Sequence, residues 1–387
     1  MNISHQVIPF SKVYIGANER KYLEEVLDSG WLTTAGKAME LEKRFAKTVD
    51  AKYACAVNSC TAALHLGLEA LGIQPGDEVF VPSMTFTSSA EIIRYMHADP
   101  VFLDTEYGTN LITPEILENA IELHPNVHYL IIVHYGGQAA QMIEIIKICK
   151  KNNIKIIEDA AHAFPAHLLG KTIGSFGDIT CFSFYANKTI TTGEGGMLVT
   201  NNAELYRRVK IMRLHGINRD VWDRYTAKKV SWEYDIVDAG YKYNMPDINA
   251  AIGLGQLEQA EFLRNERQKV AEYYYENLST ISTIDLPVCK VPLKDHAWHL
   301  FPIVIKEDAK ISRNIFIEKM FEAGIGTSVH YKPLHQMTYY KERYSLNPLD
   351  FPNAEKTWQG NVSLPIYPFM KVSELEYISQ TIQTILS

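Results

Sequence analysis

Lys188 is the only lysine in a short loop that separates two apolar runs, residues 179–184 and 197–199. A lysine held between two buried strands loses water, and burial favours the neutral amine, the form that attacks a carbonyl. Ser183 lies five positions before it, where a strand-end hydroxyl can meet an anion, and Asp159 ends an earlier apolar run 29 positions upstream. Gly193, Gly195 and Gly196 follow the lysine, around Glu194, and let backbone approach a ligand closely. A buried carboxylate, a reactive lysine and phosphate donors are the components of a pyridoxal 5′-phosphate (PLP) site. Taken alone, Lys188 reads as a surface lysine on a hairpin; its company carries the other reading.

The stretch AKYACAVNSCTAALHLGLEALG supplies a second candidate feature. It reads as a strand ending at Val57, then a helix with Leu64, Leu68 and Leu71 on one side and Gly72 as the stop signal. Ser59 and Thr61 stand at the turn, where a helix N-terminus offers free N–H groups and the positive end of its dipole to an anion. Ser59 as a plain helix cap is the alternative.

The elements that must position these residues alternate. Apolar strands read at residues 79–81, 101–103, 129–133 and 154–157, with helices at 88–98, 114–121 and 141–152 between them. Such βαβ units imply an α/β fold with a mainly parallel sheet covered on both faces, binding ligands beyond the carboxyl ends of its strands. Thr85, Phe86, His134, Tyr135, Asp159 and His162 are the strand-end residues so nominated. Earlier, residues 38–49 form an amphipathic helix on Leu41, Phe45 and Val49, after a loop GWLTTAG that carries Trp31.

After the lysine loop a helix, 203–214, leads into HGINRDVWDRYTAKKVSWEYD, a polar, aromatic-rich segment without periodicity. A loop that long inside a compact unit is usually functional. A long helix follows with Asp247 as its cap. Then come a strand at 300–305, a helix at 313–323, a strand at 326–330, and a final helix whose Ser373 and Glu376 read as a capping box. The division expected is a large PLP-binding unit, 1–250, and a linking helix with a smaller α+β unit, 251–387.

Composition narrows the partners. At 387 residues the chain has room for about two domains, and a net charge of −7 without a dense basic run argues against nucleic acid. The five cysteines show no metal-ligand spacing, and no apolar run reaches the length of a membrane span or a signal peptide. The expectation is a cytoplasmic protein without a metal.

The segments SGWLTTAGK, VNSCTAALHLGLEALGIQPGDEV, PSMTFTSSA, IIEDAAHAFPA, GDITCFSFYANKTITTGEGGMLVTNN, GYKYNMPDINAAIGLGQLE, HAWHLFPI and GIGTSVHY run nearly end to end. In them the chain resembles the DegT/StrS-type family of PLP-dependent nucleotide-sugar aminotransferases. The resemblance implies the fold-type I architecture, a seven-stranded sheet between helices with a smaller C-terminal unit, and a homodimer with shared active sites. By it, Lys188 resembles the Schiff-base lysine and Asp159 the carboxylate facing the pyridine nitrogen. Thr61 and Ser183 resemble phosphate ligands, with Ser59 and the N–H of Cys60 beside them. Phe86 matches the aromatic residue that stacks on the ring, and Asn244 an asparagine that reaches the phosphate from the partner subunit. His162 stands where many relatives have glutamine, near the cofactor's other face or its ring hydroxyl. Trp31, Tyr185, Arg219, Arg224, Lys228, His330 and Lys332 are the substrate contacts expected, the loop cations receiving a nucleotide diphosphate. Cys60 replaces the usual glycine, and at a helix N-terminus its thiol is expected to be acidified and oxidation-prone.

The function implied is transfer of an amino group from L-glutamate, leaving 2-oxoglutarate, to a keto sugar. The pattern EDAAHA together with HAWHLF favours a 4-keto, nucleotide-linked sugar destined for surface polysaccharide or lipopolysaccharide. A 3-keto or nucleotide-free sugar is the alternative. A sugar dehydratase of the same family would replace the lysine with histidine, whereas Lys188 is intact, and a PLP-binding regulator would need an attached DNA-binding module.

Overall fold

A computed structural model describes residues 7–218 and 234–387. Two helices open it, α1 (Ala17–Ser29) and α2 (Gly36–Thr48). Strands and helices then alternate: β1 (Tyr53–Val57), α3 (Cys60–Leu71), β2 (Glu78–Pro82), α4 (Ser88–Tyr95), β3 (Asp99–Leu103), α5 (Pro114–Leu123), β4 (Tyr129–Val133), α6 (Met142–Lys151) and β5 (Lys155–Asp159). A small hairpin, β6 (His167–Leu168) with β7 (Lys171–Thr172), precedes β8 (Ile179–Ser183), β9 (Gly196–Thr200) and α7 (Ala203–Met212). Beyond the second described boundary come α8 (Asp247–Glu258), α9 (Ala260–Leu278), β10 (Ile284–Asp285), β11 (Phe301–Ile305), α10 (Arg313–Glu322), α11 (Thr338–Tyr344), α12 (Pro352–Gly360), β12 (Asn361–Leu364) and α13 (Val372–Leu386).

Seven strands form one sheet in the order β1-β9-β8-β5-β4-β2-β3. Six run parallel, and β9 runs antiparallel to both of its neighbours. Alternation along the strands assigns the two faces. Cys55, Val57, Ile179, Cys181 and Leu198 enter one hydrophobic cluster with α3 and α4, while Ala54, Ala56, Phe182, Met197 and Val199 enter another with α2 and α8. Helices thus cover both faces, and the strands are buried almost throughout, as a sheet built from crossover units requires. A third cluster joins α9, β11 and α13 through Tyr274, Phe301, Ile303, Ile378 and Ile382, and takes in Ile8 from the start of the described chain. There β11 is the centre of a three-stranded antiparallel sheet, β10-β11-β12.

Three local expectations give way. Residues 326–330 form no strand: Gly326 N–H donates to Ile8 O at 2.8 Å, whereas Ser328 exchanges bonds with Ser363, so the segment changes partner within three residues and no ladder builds. The last helix starts one residue early, at Val372, and Glu374, not Glu376, folds back to accept from the Lys371 N–H at 2.7 Å. The stretch from Asp247 is two helices broken at Gln259.

Asp247 itself lies inside the first turn of α8 and caps a different helix. Its Oδ1 accepts from the N–H groups of Ala35 (2.7 Å) and Ala38 (3.0 Å), and its Oδ2 from that of Lys37 (2.9 Å). One buried carboxylate therefore satisfies the free donors at the start of α2 and ties the 30–36 loop to the segment before α8. Losing it strands buried N–H groups, each of which costs about 1–3 kcal/mol. Asp247→Ala is expected to lower the unfolding free energy by about 3 kcal/mol in urea titration at fixed protein concentration, with Asp247→Asn losing less because one oxygen remains. An unchanged midpoint in Asp247→Ala would refute the capping role.

Candidate active site

The carboxyl ends of β1, β2, β5 and β8 open onto one pocket of about 430 Å³. Asp159 is the last residue of β5, Ser183 the last of β8, and Ser59 to Thr61 follow β1 directly. Lys188 hangs in the loop from β8 to β9, and all of these residues line the pocket. A sheet of this topology binds ligands at this edge because the loops there leave the strands on the same side.

The Lys188 amine is buried, and that burial pulls its pKa down to about 8, against an opposing pull from the Asp159 charge. Its Nζ lies 3.3 Å from His299 Nε2. The Asp159 carboxylate is 4% exposed and accepts from Ser89 Oγ at 2.7 Å and from the Ala161 N–H at 3.0 Å. Burial raises its pKa, and these two donors work against the rise. A cation brought beside Asp159 would restore the charged form.

His162 sits in the turn after β5. Gly136 N–H donates to its Nδ1 at 3.2 Å, so the ring proton is on Nε2, which donates to the Tyr331 hydroxyl oxygen at 2.9 Å. The tyrosine's own proton is left to point at an acceptor in the pocket. Burial, and then the Lys188 charge, hold His162 far below the usual histidine range, so it is neutral at neutral pH. His299 packs against it with ring centres 4.4 Å apart and is held neutral in the same way.

The first turn of α3 forms another wall. Ser59 caps the helix, its Oγ accepting from the Ala62 N–H at 3.0 Å, which leaves the N–H groups of Cys60 and Thr61 without intrahelical acceptors. Gly196 lets this turn and the lysine loop meet: a Cβ there would lie 2.6 Å from the Ser59 carbonyl and 2.7 Å from Cys60 N. Asn187, beside the lysine, also lines the pocket, with its buried Oδ1 lacking a partner among the described residues. An amine, a buried carboxylate, an aromatic lid and a ring of anion donors form a donor set that fits a phosphorylated pyridine aldehyde.

Of the residues picked from sequence, Ser59, Cys60, Thr61, Phe86, Asp159, His162, Ser183, Tyr185, Lys188 and His330 all line this pocket. Phe86 is 55% exposed and leans on Tyr331, with ring centres 5.8 Å apart. Trp31, Asn244 and Lys332 do not line it; Asn244 Nδ2 donates to Thr34 Oγ1 at 2.6 Å and its Oδ1 accepts from Lys242 Nζ at 2.7 Å. Arg219, Arg224 and Lys228 lie outside the described residues. His134 turns away from the pocket, its Nε2 donating to the buried Glu158 at 2.9 Å. The thiol of Cys60 is not acidified: burial, followed by the Asp159 charge, raises its pKa well above the usual value. Sequence reasoning gave no role to Ser89, Asn187, His299 and Tyr331, although each lies inside a quoted segment: PSMTFTSSA, the lysine stretch, HAWHLFPI and GIGTSVHY.

A family model described as the DegT/DnrJ/EryC1/StrS aminotransferase family matches residues 13–383. The chain is 42% identical to an uncharacterized protein, MJ1066, of Methanocaldococcus jannaschii, over 100% of this chain and 99% of that one. It is 39% identical to the spore coat polysaccharide biosynthesis protein SpsC of Bacillus subtilis, over 98% of this chain and 97% of that one. Its structure superposes with a TM-score of 0.90 on the putative sugar aminotransferase Spr1654 of Streptococcus pneumoniae in its PMP-form, at 32% identity and 98% coverage of both chains. That protein has also been solved in a PLP-form, with a TM-score of 0.89.

A pKa of about 8 for Lys188 sets a pH dependence. The neutral amine is scarce below that value and dominates above it, so the rate at which apoprotein captures PLP covalently should rise through a midpoint near pH 8. Stopped-flow absorbance across pH 6–10 measures it. A midpoint near the 10.5 of an ordinary lysine would mean the amine is solvated.

Proposed function

The chain belongs to the DegT/DnrJ/EryC1/StrS aminotransferase family and is a PLP-dependent sugar aminotransferase; from that premise we propose that Lys188 carries the cofactor and that the amino group passes from L-glutamate to a 4-keto, nucleotide-linked sugar. The observation that carries this reading is the buried Lys188 amine sharing one pocket with the Asp159 carboxylate and the free N–H groups of α3. When bound, PLP supplies an electron sink for the bonds broken at the amino-bearing carbon. Asp159 would hold a proton on the pyridine nitrogen, its two donors favouring the charged carboxylate that this needs. Thr61, Ser183, Ser59 and the N–H groups of Cys60 and Thr61 would bind the phosphate, and Phe86 would cover one ring face. Lys188 Nζ, once displaced by the donor amine, would take the proton leaving the donor's α-carbon and deliver it to the cofactor carbon, and in the second half-reaction would carry a proton the opposite way, to the sugar carbon. His162 keeps Tyr331 turned so that its O–H is offered to the pocket.

Amination at carbon 4 is supported by His162 in the EDAAHA segment and by its contact with His299 of HAWHLF. A nucleotide diphosphate adds negative charge to a chain of net charge −7, so local cations must receive it; Arg219, Arg224 and Lys228 are assigned that role, with Lys332, exposed two residues beyond His330. Tyr185 and His330 would face the sugar, with Trp31 entering from outside the pocket lining. We read residues 1–250 as the PLP-binding unit and 251–387 as the linking helix and smaller unit, working in the cytoplasm on the route to a surface polysaccharide. Among the described residues no helix is long and apolar enough to cross a membrane.

We further propose a homodimer in which Asn244 serves the partner's phosphate, because its side chain lies outside the pocket of its own chain.

Borohydride reduction of the holoenzyme followed by peptide mapping is expected to label Lys188, and Lys188→Ala to retain PLP without covalent linkage while turnover falls below detection. Added alone, L-glutamate should yield one equivalent of 2-oxoglutarate per site; a mass-spectrometric screen of keto sugar nucleotides then identifies the acceptor. Label on another lysine overturns the site, and amination only of 3-keto or nucleotide-free sugars selects the alternative. Mixing inactive Lys188→Ala with inactive Asn244→Asp chains, under conditions where subunits exchange, is expected to restore part of the activity. No recovery would remove Asn244 from the partner's site.

A further inference from the structure

Three hydrophobic clusters meet at residues 297–300. Ala297 belongs to one, Leu300 to another, and Trp298 to the third. Backbone bonds from Ala297 N–H to Gly137 O (2.9 Å) and from Leu300 N–H to Gly136 O (3.0 Å) pin the segment. Trp298 N–H donates to His296 Nδ1 at 2.8 Å, and the tryptophan sits at φ 51°, a left-handed conformation that a bulky residue adopts only when its surroundings enforce it. Beneath it Gly137, at φ 114°, leaves room that a Cβ would fill at 2.8 Å from Trp298 N and 3.1 Å from His299 N. This backbone holds the buried His299 ring with Nε2 3.3 Å from Lys188 Nζ.

The same segment is gripped by a cation. Arg267 of α9 is 2% exposed, and its Nη1 donates to Ile366 O at 2.9 Å and to Trp298 O at 3.4 Å. Among the described residues it forms no ion pair with a carboxylate, and its buried Nε has no acceptor. Its helix neighbour Arg264, by contrast, pairs with Glu261 at 3.0 Å. A guanidinium kept from water without a counter-ion is costly, and its field is weakly screened. Burial lowers its pKa to about 10, which still leaves it charged at neutral pH.

We propose that Arg267 is a positioning residue that favours the uncharged form of the Lys188 amine, its unpaired guanidinium fixing the Trp298 carbonyl and so the segment that sets His299 against the amine. The groups facing Lys188 come from several elements. Burial comes first and favours the neutral amine, the Asp159 carboxylate on β5 favours the ammonium form, and Arg267 on α9 works with burial, the balance falling at about 8; Cys60 on α3, held as a neutral thiol, adds no charge. His162, His299 and His330 add no charge, since burial holds all three neutral. A freed amine must be neutral to take the proton from the donor's α-carbon, and a like charge behind it disfavours the ammonium without occupying the pocket.

The inference rests on Lys188 being the cofactor lysine, but its test is read on the apoprotein, so borohydride mapping can fail without deciding it. Trace acetylation with acetic anhydride against a free amine standard, followed by peptide mass spectrometry, gives the pH midpoint of Lys188 reactivity. For the native chain that midpoint is expected near 8. Arg267→Gln keeps hydrogen-bond donors but drops the charge, and should raise the midpoint by about one pH unit. Arg267→Lys keeps the charge and should stay within about 0.3 unit of the native value. An unmoved Arg267→Gln midpoint, or equal shifts in both variants, overturns the proposal, because the residue would then act by shape alone. If circular dichroism shows Arg267→Gln unfolded, Arg267→Met, which replaces the buried charge with an apolar chain of similar length, should raise the midpoint similarly; an unmoved midpoint there also overturns it.

Discussion

The structure depends on keeping one amine out of water at the carboxyl edge of a sheet. Burial disfavours the charged form of a lysine, and at Lys188 it outweighs the attraction of Asp159. The position follows from topology. Because β8 runs parallel to β5, its end faces the ligand edge, and a direct return into the same sheet can only be antiparallel. That is why β9 is the one reversed strand, and why the loop carrying Lys188 lies where the first turn of α3 and the strand-end carboxylate of Asp159 converge. Gly196, at the start of β9, then allows the loop and the α3 turn to touch.

The three imidazoles near the amine are polar but uncharged. His162, His299 and His330 are each held neutral by burial, and two are oriented by fixed partners: Gly136 N–H on His162 and Ser363 Oγ, 2.9 Å from His330 Nδ1. Neutral imidazoles donate and accept without adding repulsion to the lysine, which suits a hydroxyl-rich substrate. The buried pair His134–Glu158 sits behind this layer, where Glu158 also accepts from Thr180 Oγ1 and the Gly177 N–H. It braces the end of β5, because the His134 N–H donates to the Asp159 carbonyl at 3.0 Å.

Much of this was legible before any coordinates. The strands at 129–133 and 179–184 and the helix opening at residue 88 emerge where the pattern put them, since burial on both faces demands continuous apolar runs. Misreadings fell where local chemistry had two outlets. Asp247 has the type of a cap and is one, but for α2. Ser373 and Glu376 have capping-box spacing, yet Glu374 lies closer to the N–H that needs an acceptor. Cys60 occupies the dipole end of α3, yet it is buried there, and burial raises the thiol's pKa.

Sequence alone determined the alternating α/β order, the candidate lysine and carboxylate, and the helix-opening turn at Ser59, because each depends on residue type and on near neighbours along the chain. Only the tertiary structure decided which distant groups complete the site. His299 meets Lys188 across 111 positions, Tyr331 meets His162 across 169, and Asp247 reaches α2 across 209 to 212. Such contacts are set by how three hydrophobic cores close on one another, and periodicity records which face of an element is buried but not which residue it will meet there.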